Sequence, residues 1–310
     1  MKTTIAISSW GNIGKAAAAI HAKESQAADH DIELAGIIRR NANSGTEYLA
    51  GVPVVDDVSR LAVKPDVIIC AAPSHCVMED VQKYIKLGIS TVDCFDNHKE
   101  IAEWRERLDT LAKNHQAVSV IASGWDPGFD SVVRALTGLV VTEHDPVTTF
   151  GPGRSMGHTT TVKSIHPGIK DAVSITLPGN KPGLQKREVF IALNDMLADE
   201  SVQNKIRGEI LEHPYFKNDD TKIFFVESIT AHDTNMHGGI ITRDGSAAKV
   251  EIKLHGDNAL MTAAAMYGAA RAAARAQTAG NYGCLTLAEI PPLDFVKGQT
   301  TTERLAKIKY

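Results

Sequence analysis

Five short apolar runs, each followed by a stretch of helical character, fill the first 122 residues and leave the chain few folds to choose from. They are TTIAISS (3–9), IELAGII (32–38), PDVIICAA (65–72), GISTVD (88–93) and AVSVIA (117–122). Runs of this length suit strands covered on both faces. The spacers carry an alanine-rich helix after Gly14, a helix near 76–87, and the amphipathic stretch HKEIAEWRERLDTLAKNH (98–115). Strands alternating with helices imply right-handed crossovers and a doubly wound parallel α/β sheet of Rossmann type.

The pattern changes after about residue 140. DAVSITLP, KREVFIAL, KIFFVESIT, GGIITRDG and AAKVEIKLHG are strand-like and lie close together. Val250, Ile252 and Leu254 alternate with Lys249, Glu251 and Lys253, as in a sheet with one wet face. We read 123–257 as a second, α+β domain. The strong helix pattern 257–277, closed by Gly280, is expected to return to the first domain, which then comprises 1–122 and 258–310.

Bulk properties exclude several function classes. The chain has 310 residues, 43% hydrophobic and 23% charged, with net charge −4. No Lys/Arg run or basic face is visible, so nucleic acid is not an expected partner. The apolar runs are strand-sized and far short of a membrane span. MKTTIAIS enters a strand pattern directly, so no secretory leader is read ahead of it. Cys70, Cys76, Cys94 and Cys284 lack paired metal-ligand spacing. They fit a reducing, cytoplasmic setting, and no metal is expected.

The turn after the first run, SSWGNIG, has two of the three glycines of a dinucleotide-binding turn. Ser9 occupies the first position, and Gly11 and Gly14 the others. Glycine serves there for the tight bend, for backbone approach to the pyrophosphate, and for close helix–strand packing. Phosphates would then face the helix N-terminus. A generic strand–turn–helix is the alternative, and the turn's place at the first of several βα units favours the cofactor. At the end of the second run stand Arg39 and Arg40, where an NAD binder would carry a carboxylate. Two guanidinium groups suit a 2′-phosphate, hence NADP; a solvated basic pair is the alternative.

Ligands in open α/β sheets sit at the carboxyl ends of strands. Two acidic clusters belong there, one from Asp93 through His98 and one from Ser123 through Gly128. Asp96 and Asp126, projecting toward a nicotinamide, suggest a cationic substrate such as an amine. Each could instead cap a helix, Asp126 especially, since Pro127 follows it. Thr176, Arg187 and His237 in the second domain, with Asn258 at its end, form a set able to bind carboxylates, although singly each is an ordinary polar residue.

VDCFDNHKEI, SGWDPGFDSVVRAL, FGPGRSMGH, ITLPG, KREVF and MHGG occur in this order over nearly the whole chain. In these motifs the sequence resembles the meso-diaminopimelate D-dehydrogenase family. The resemblance implies a homodimeric NADP enzyme whose second domain binds substrate and forms the dimer. It oxidatively deaminates the D-configured α-carbon of meso-2,6-diaminopimelate to L-2-amino-6-oxopimelate, which cyclises to tetrahydrodipicolinate. Ammonia and NADPH are the other products, and the reversible reaction serves lysine and peptidoglycan precursor synthesis.

By motif, the implied cofactor positions are Trp10, Gly11, Asn12, Ile13, Arg39, Arg40, Ala71, Ala72, Pro73, Ser74, Cys94, Phe95, Asp96, Ser123, Gly124, Trp125, Asp126 and Pro127. The implied substrate positions are Asp96, Asp126, Phe150, Met156, Gly157, Thr176, Arg187, His237 and Asn258, with Asp96 and Asp126 at the reacting amine. Ser9 stands where many members carry glycine, Phe150 where some carry Trp, and Met156 where some carry Gln. The stretch between Pro178 and Arg187 is also short. Phe150 and Met156 resemble a subgroup with broader substrate range, so a broad D-amino acid dehydrogenase working by reductive amination of 2-keto acids is the rival enzyme. A non-catalytic NADP-binding sensor is the rival outside enzymes.

Overall fold

The computed structural model describes residues 2–42, 47–194 and 200–309. Strands and helices alternate as β1 (Thr3–Ser8), α1 (Asn12–Glu24), β2 (Ile32–Ile38), β3 (Tyr48–Leu49), β4 (Val52–Val55), β5 (Val67–Cys70), α2 (Ser74–Lys86), β6 (Ser90–Asp93), α3 (Ile101–Asn114), β7 (Val118–Val120) and α4 (Phe129–Thr137). There follow β8 (Val147–Phe150), β9 (Gly153–Arg154), α5 (Met156–Ile165), β10 (Ile169–Pro178), β11 (Gln185–Leu193), α6 (Glu200–Glu212), β12 (Asp220–Phe225), β13 (Met236–Asp244) and β14 (Lys249–Asp257). The chain ends with α7 (Asn258–Thr278), β15 (Gly283–Leu285) and α8 (Thr301–Lys307). It divides into two compact units, Met1–Ala135 with Ala259–Tyr310, and Leu136–Asn258.

The first unit is built on a sheet of order β15-β7-β6-β5-β1-β2-β4-β3 among the described residues, parallel except for β3. Successive strand residues bury on opposite faces, as the pleat requires. Ile5, Ile7, Val67 and Ile69 join one core with Ala16 and Ala17 of α1 and with Ala263, Met266 and Ala270 of α7. Ala6, Ile68 and Cys70 join the other, with Val77, Val81 and Ile85 of α2 and Leu108 of α3. Alanine lets α1 and α7 lie close to the strands. The order reverses between β1 and β5, the topological switch point where such sheets bind ligands.

The first unit runs to Ala135, beyond the boundary at 122 that the sequence suggested. The SGWDPG segment stays with the parallel sheet because its backbone is hydrogen-bonded there. Ser123 N donates to Asp93 O at 2.7 Å, and Phe129 N donates to Gly124 O at 2.9 Å. Trp125 is buried beside them.

The second unit has a four-stranded sheet, β12-β11-β10-β9, and a three-stranded sheet, β14-β13-β8. β10 and β11 are antiparallel, whereas β11 and β12, joined through α6, are parallel. Val162, Val189, Ile191, Ile206, Ile210 and Phe216 form its main core. The apolar positions of β14 are less covered than their alternation suggested, and Ile252 remains 38% exposed. Among the described residues, no helix is long and apolar enough to cross a membrane, and no cluster of His, Cys, Asp or Glu could hold a metal ion. None of the four cysteines is in a disulfide.

Candidate active site

The turn after β1 shares two features with dinucleotide-binding turns, close helix–strand packing and an uncapped helix N-terminus. A Cβ on Gly14 would lie 2.3 Å from Ser9 O, so only glycine allows α1 to sit so close to β1. Gly11, the N-cap of α1, supplies no side-chain cap and faces open space, an arrangement that helix N-termini able to bind anions share. Ser9 adopts φ 86°, the left-handed region that glycine enters freely, and a serine there costs about 1 kcal/mol. Serine thus stands here in a conformation better suited to glycine. Trp10 and Ile13 pack on the core behind the turn, while Gly11 and Asn12 are exposed.

The remaining expected cofactor residues lie at the same carboxyl edge. Arg39 and Arg40 follow β2; Arg39 Nη2 is paired with Glu47 Oε1 at 2.5 Å, and Arg40 is exposed. Ala71, Ala72 and Pro73 form the turn from β5 into α2, with Ala71 N donating to Ser8 O at 2.9 Å. Ser74 opens α2. Its Oγ donates to Asp96 Oδ1 at 2.6 Å and accepts from Asp96 N at 3.1 Å, fixing that aspartate's backbone and carboxylate together. Cys94 is half-buried and Phe95 buried.

Asp93 ties the two acidic loops to each other. Its Oδ1 accepts from Phe95 N at 3.0 Å and from Ala122 N at 3.1 Å, one amide from each loop. Its carbonyl accepts from Ser123 Oγ at 2.6 Å as well as from Ser123 N. The second carboxylate oxygen, Oδ2, is buried without a hydrogen bond. Burial pushes the Asp93 carboxyl up to about 7, against the two amides that lower it. The sequence placed Asp93 in an acidic cluster and gave it no role; the available signal was a carboxylate ending a strand buried at every position.

Asp126 does not cap α4, which begins three residues later, and its peptide to Pro127 is cis. Burial raises Asp126 to about 6. His98 opposes the shift, Asp130 adds to it, Arg134 opposes it, and Asp96 adds to it. Asp96 and Asp126 are thus close enough for their charges to interact. Gly124 and Trp125 bridge back to Gly128, where a Cβ would lie 2.1 Å from Gly124 O. Two carboxylates on immobilised loops can hold an ammonium group, and one near pKa 6 can take its proton at neutral pH.

In the second unit the structure gathers Phe150, Thr176, Arg187 and His237. Thr176 and Arg187 are Cα partners across β10 and β11, and Arg187 Nη1 donates to Thr176 Oγ1 at 3.0 Å. The Phe150 and His237 rings lie nearly parallel, 12° apart with centroids separated by 6.4 Å. Gly151, next to Phe150, comes so near Thr176 that a Cβ would sit 2.6 Å from its carbonyl oxygen. Met156 and Gly157 begin α5 and are exposed. Asn258 begins α7, its N donating to Asn235 O at 2.9 Å.

Two members of this cluster went unread in the sequence, Asp219 and His158. Asp219 Oδ2 accepts from Arg187 Nε at 2.8 Å and from Nη2 at 2.7 Å. In KNDD it looks like part of a solvated turn, and no local pattern marks it otherwise. His158 is held between Ser155 Oγ and Tyr215 O. Burial, then the Arg187 charge, lowers both His158 and His237 to about 4.

Comparison with known proteins follows the same lines. The family model for the diaminopimelic acid dehydrogenase C-terminal domain matches residues 124–256. A meso-diaminopimelate D-dehydrogenase of Bacteroides fragilis is 36% identical over 303 residues, 96% of each chain. The solved structure of Corynebacterium glutamicum DAP dehydrogenase in complex with DAP covers 100% of this chain and 99% of its own, at 28% identity and TM-score 0.84. An engineered D-amino acid dehydrogenase bound to NADP+ covers 100% of both chains, at 26% identity and TM-score 0.79. A relative so similar over so much of both lengths leaves one assignment: this chain belongs to the meso-diaminopimelate D-dehydrogenase family.

Proposed function

We propose that this protein oxidatively deaminates the D-configured α-carbon of meso-2,6-diaminopimelate with NADP, giving L-2-amino-6-oxopimelate, ammonia and NADPH. The observation that carries the reading is the pair Asp96 and Asp126, on loops that Asp93 joins at the sheet edge holding the dinucleotide turn. Relatives named for this reaction support it, and so does a structural neighbour named as a complex with DAP.

The cofactor supplies the acceptor for the hydride that leaves the substrate's α-carbon. The N-terminus of α1 at Gly11 and Asn12 would take its pyrophosphate, and Arg39 with Arg40 its 2′-phosphate. Asp96, held by Ser74, and Asp126 bind and orient the D-centre ammonium group. Asp126 takes the proton the amine must lose, since at neutral pH its carboxyl, raised to about 6, is mostly ionised yet still basic. Loss of hydride leaves an imine, which water converts to the ketone with release of ammonia. By the family resemblance, Met156 and Gly157 also take part in binding substrate. Phe150, Thr176, Arg187, His237 and Asn258 anchor the distal L-centre. Most of the acceleration comes from holding these charges in place.

A second reading, broad oxidation of D-amino acids, draws on apolar Phe150 and Met156 at the substrate positions. The protein would act as a cytoplasmic homodimer in lysine and peptidoglycan precursor synthesis. Two experiments test the proposal. Asp126→Asn is expected to lower kcat with meso-diaminopimelate by about a hundredfold or more and to remove the acid limb of kcat/KM near pH 6; full activity removes Asp126 from the chemistry. Combined Arg39→Ala and Arg40→Ala is expected to abolish the preference for NADP over NAD in equilibrium binding; an unchanged preference refutes the phosphate clamp.

A further inference from the structure

Arg187, 2% exposed, is the bulkiest fully buried side chain among the described residues, and its guanidinium is already occupied on two edges. Nε and Nη2 donate to Asp219 Oδ2, and Nη1 donates to Thr176 Oγ1. The Phe216 ring covers it, its centroid 5.8 Å from Cζ. Asp219 is fixed in turn by its own backbone, its N donating to Phe216 O at 3.0 Å. Burial leaves His158 and His237 uncharged at neutral pH. Arg187, Asp219, His158 and His237 together therefore hold one cation, one anion and two neutral imidazoles.

A guanidinium whose Nε–Nη2 edge grips a carboxylate has little charge left for a second one. Seating a lone carboxylate in a buried site requires a compensating charge. An amino-acid end, ammonium plus carboxylate, brings its own counter-charge, and an uncharged chain needs none. We infer that Asp219 is a specificity-determining residue: by cancelling the Arg187 charge, it makes this site select substrates whose distal end carries no net charge over those ending in a lone carboxylate. The inference rests on the reading of Arg187 as the anchor of the distal end.

The test is NADP reduction by wild type and Asp219→Asn with three substrates of one chain length. These are meso-diaminopimelate (zwitterionic distal end), D-2-aminopimelate (lone carboxylate) and D-2-aminoheptanoate (uncharged). Wild type is expected to use D-2-aminopimelate no better than D-2-aminoheptanoate and less well than meso-diaminopimelate. Asp219→Asn is expected to raise kcat/KM for D-2-aminopimelate relative to D-2-aminoheptanoate by roughly tenfold, in KM rather than kcat. A purely structural role for Asp219 would lower all three rates together. A wild-type preference for D-2-aminopimelate over D-2-aminoheptanoate, or an unmoved or lowered ratio in the variant, overturns the inference. If Asp219→Asn does not fold, the wild-type comparison decides alone. No turnover of any of the three by wild type contradicts the proposed reaction itself, whereas turnover with an unmoved ratio contradicts only the role of Asp219.

Discussion

Asp93 shows a single residue setting both geometry and pH response. Its carboxyl, buried and raised to about 7, holds a proton in the folded protein that an unfolded chain loses near pH 4. Between those values the native state binds more protons, so this group's contribution to stability falls as pH rises and is level above pH 7. His158 and His237, lowered to about 4, act the other way: the unfolded chain binds more protons between about pH 4 and 6.5, and stability rises with pH there. Comparison with Asp93→Asn isolates the first effect. Urea unfolding at pH 5 and pH 7.5 is expected to show the wild type losing about 2 kcal/mol relative to the variant over that range. A constant difference would mean that Asp93 is ionised throughout. That Asp96 and Asp126 follow strand ends was legible in the sequence because each comes shortly after an apolar run that forms β6 or β7. The settings of Asp93 and Asp219 were not, since whether a polar side chain turns inward depends on partners distant in sequence: Ala122 for one, Arg187 for the other.

Among the elements, the βα units were readable because a buried parallel strand needs an apolar run and its crossover needs a helix. The FGPGRSMGH motif runs from Met156 into α5, whose Thr159 and Val162 are buried. Gly151, with φ 101°, and Gly153, with φ 150°, serve close backbone approaches ahead of α5, and the helix itself is short and polar. The opening turn offers a sharper test. Gly14→Ala would place a Cβ 2.3 Å from a carbonyl oxygen, forcing α1 away from β1. The expected result is NADP binding weakened by tenfold or more in a fluorescence titration, with helix content retained. Unchanged affinity would show that the phosphates do not lie over this turn.

For the molecule as a whole, a division after the parallel sheet was visible as a change from unbroken apolar runs to alternation. The compact unit reaches past 122 to Ala135 because the hydrogen bonds retaining Ser123 and Phe129 on the parallel sheet have no sequence signature. The homodimer is an expectation that comes from the resemblance alone. The second unit leaves Leu136, Leu139, Val140, Val147 and Ile252 exposed, apolar surface that a partner copy would cover. Light scattering is expected to give twice the chain mass of 33.4 kDa at micromolar concentration, and a monomer would contradict the proposed homodimer. The account as a whole is tested most directly by stereochemistry. NADPH formation should be rapid with meso-diaminopimelate and absent with the L,L isomer, which has no D-centre. Equal rates with the two isomers, or none with either, would contradict it.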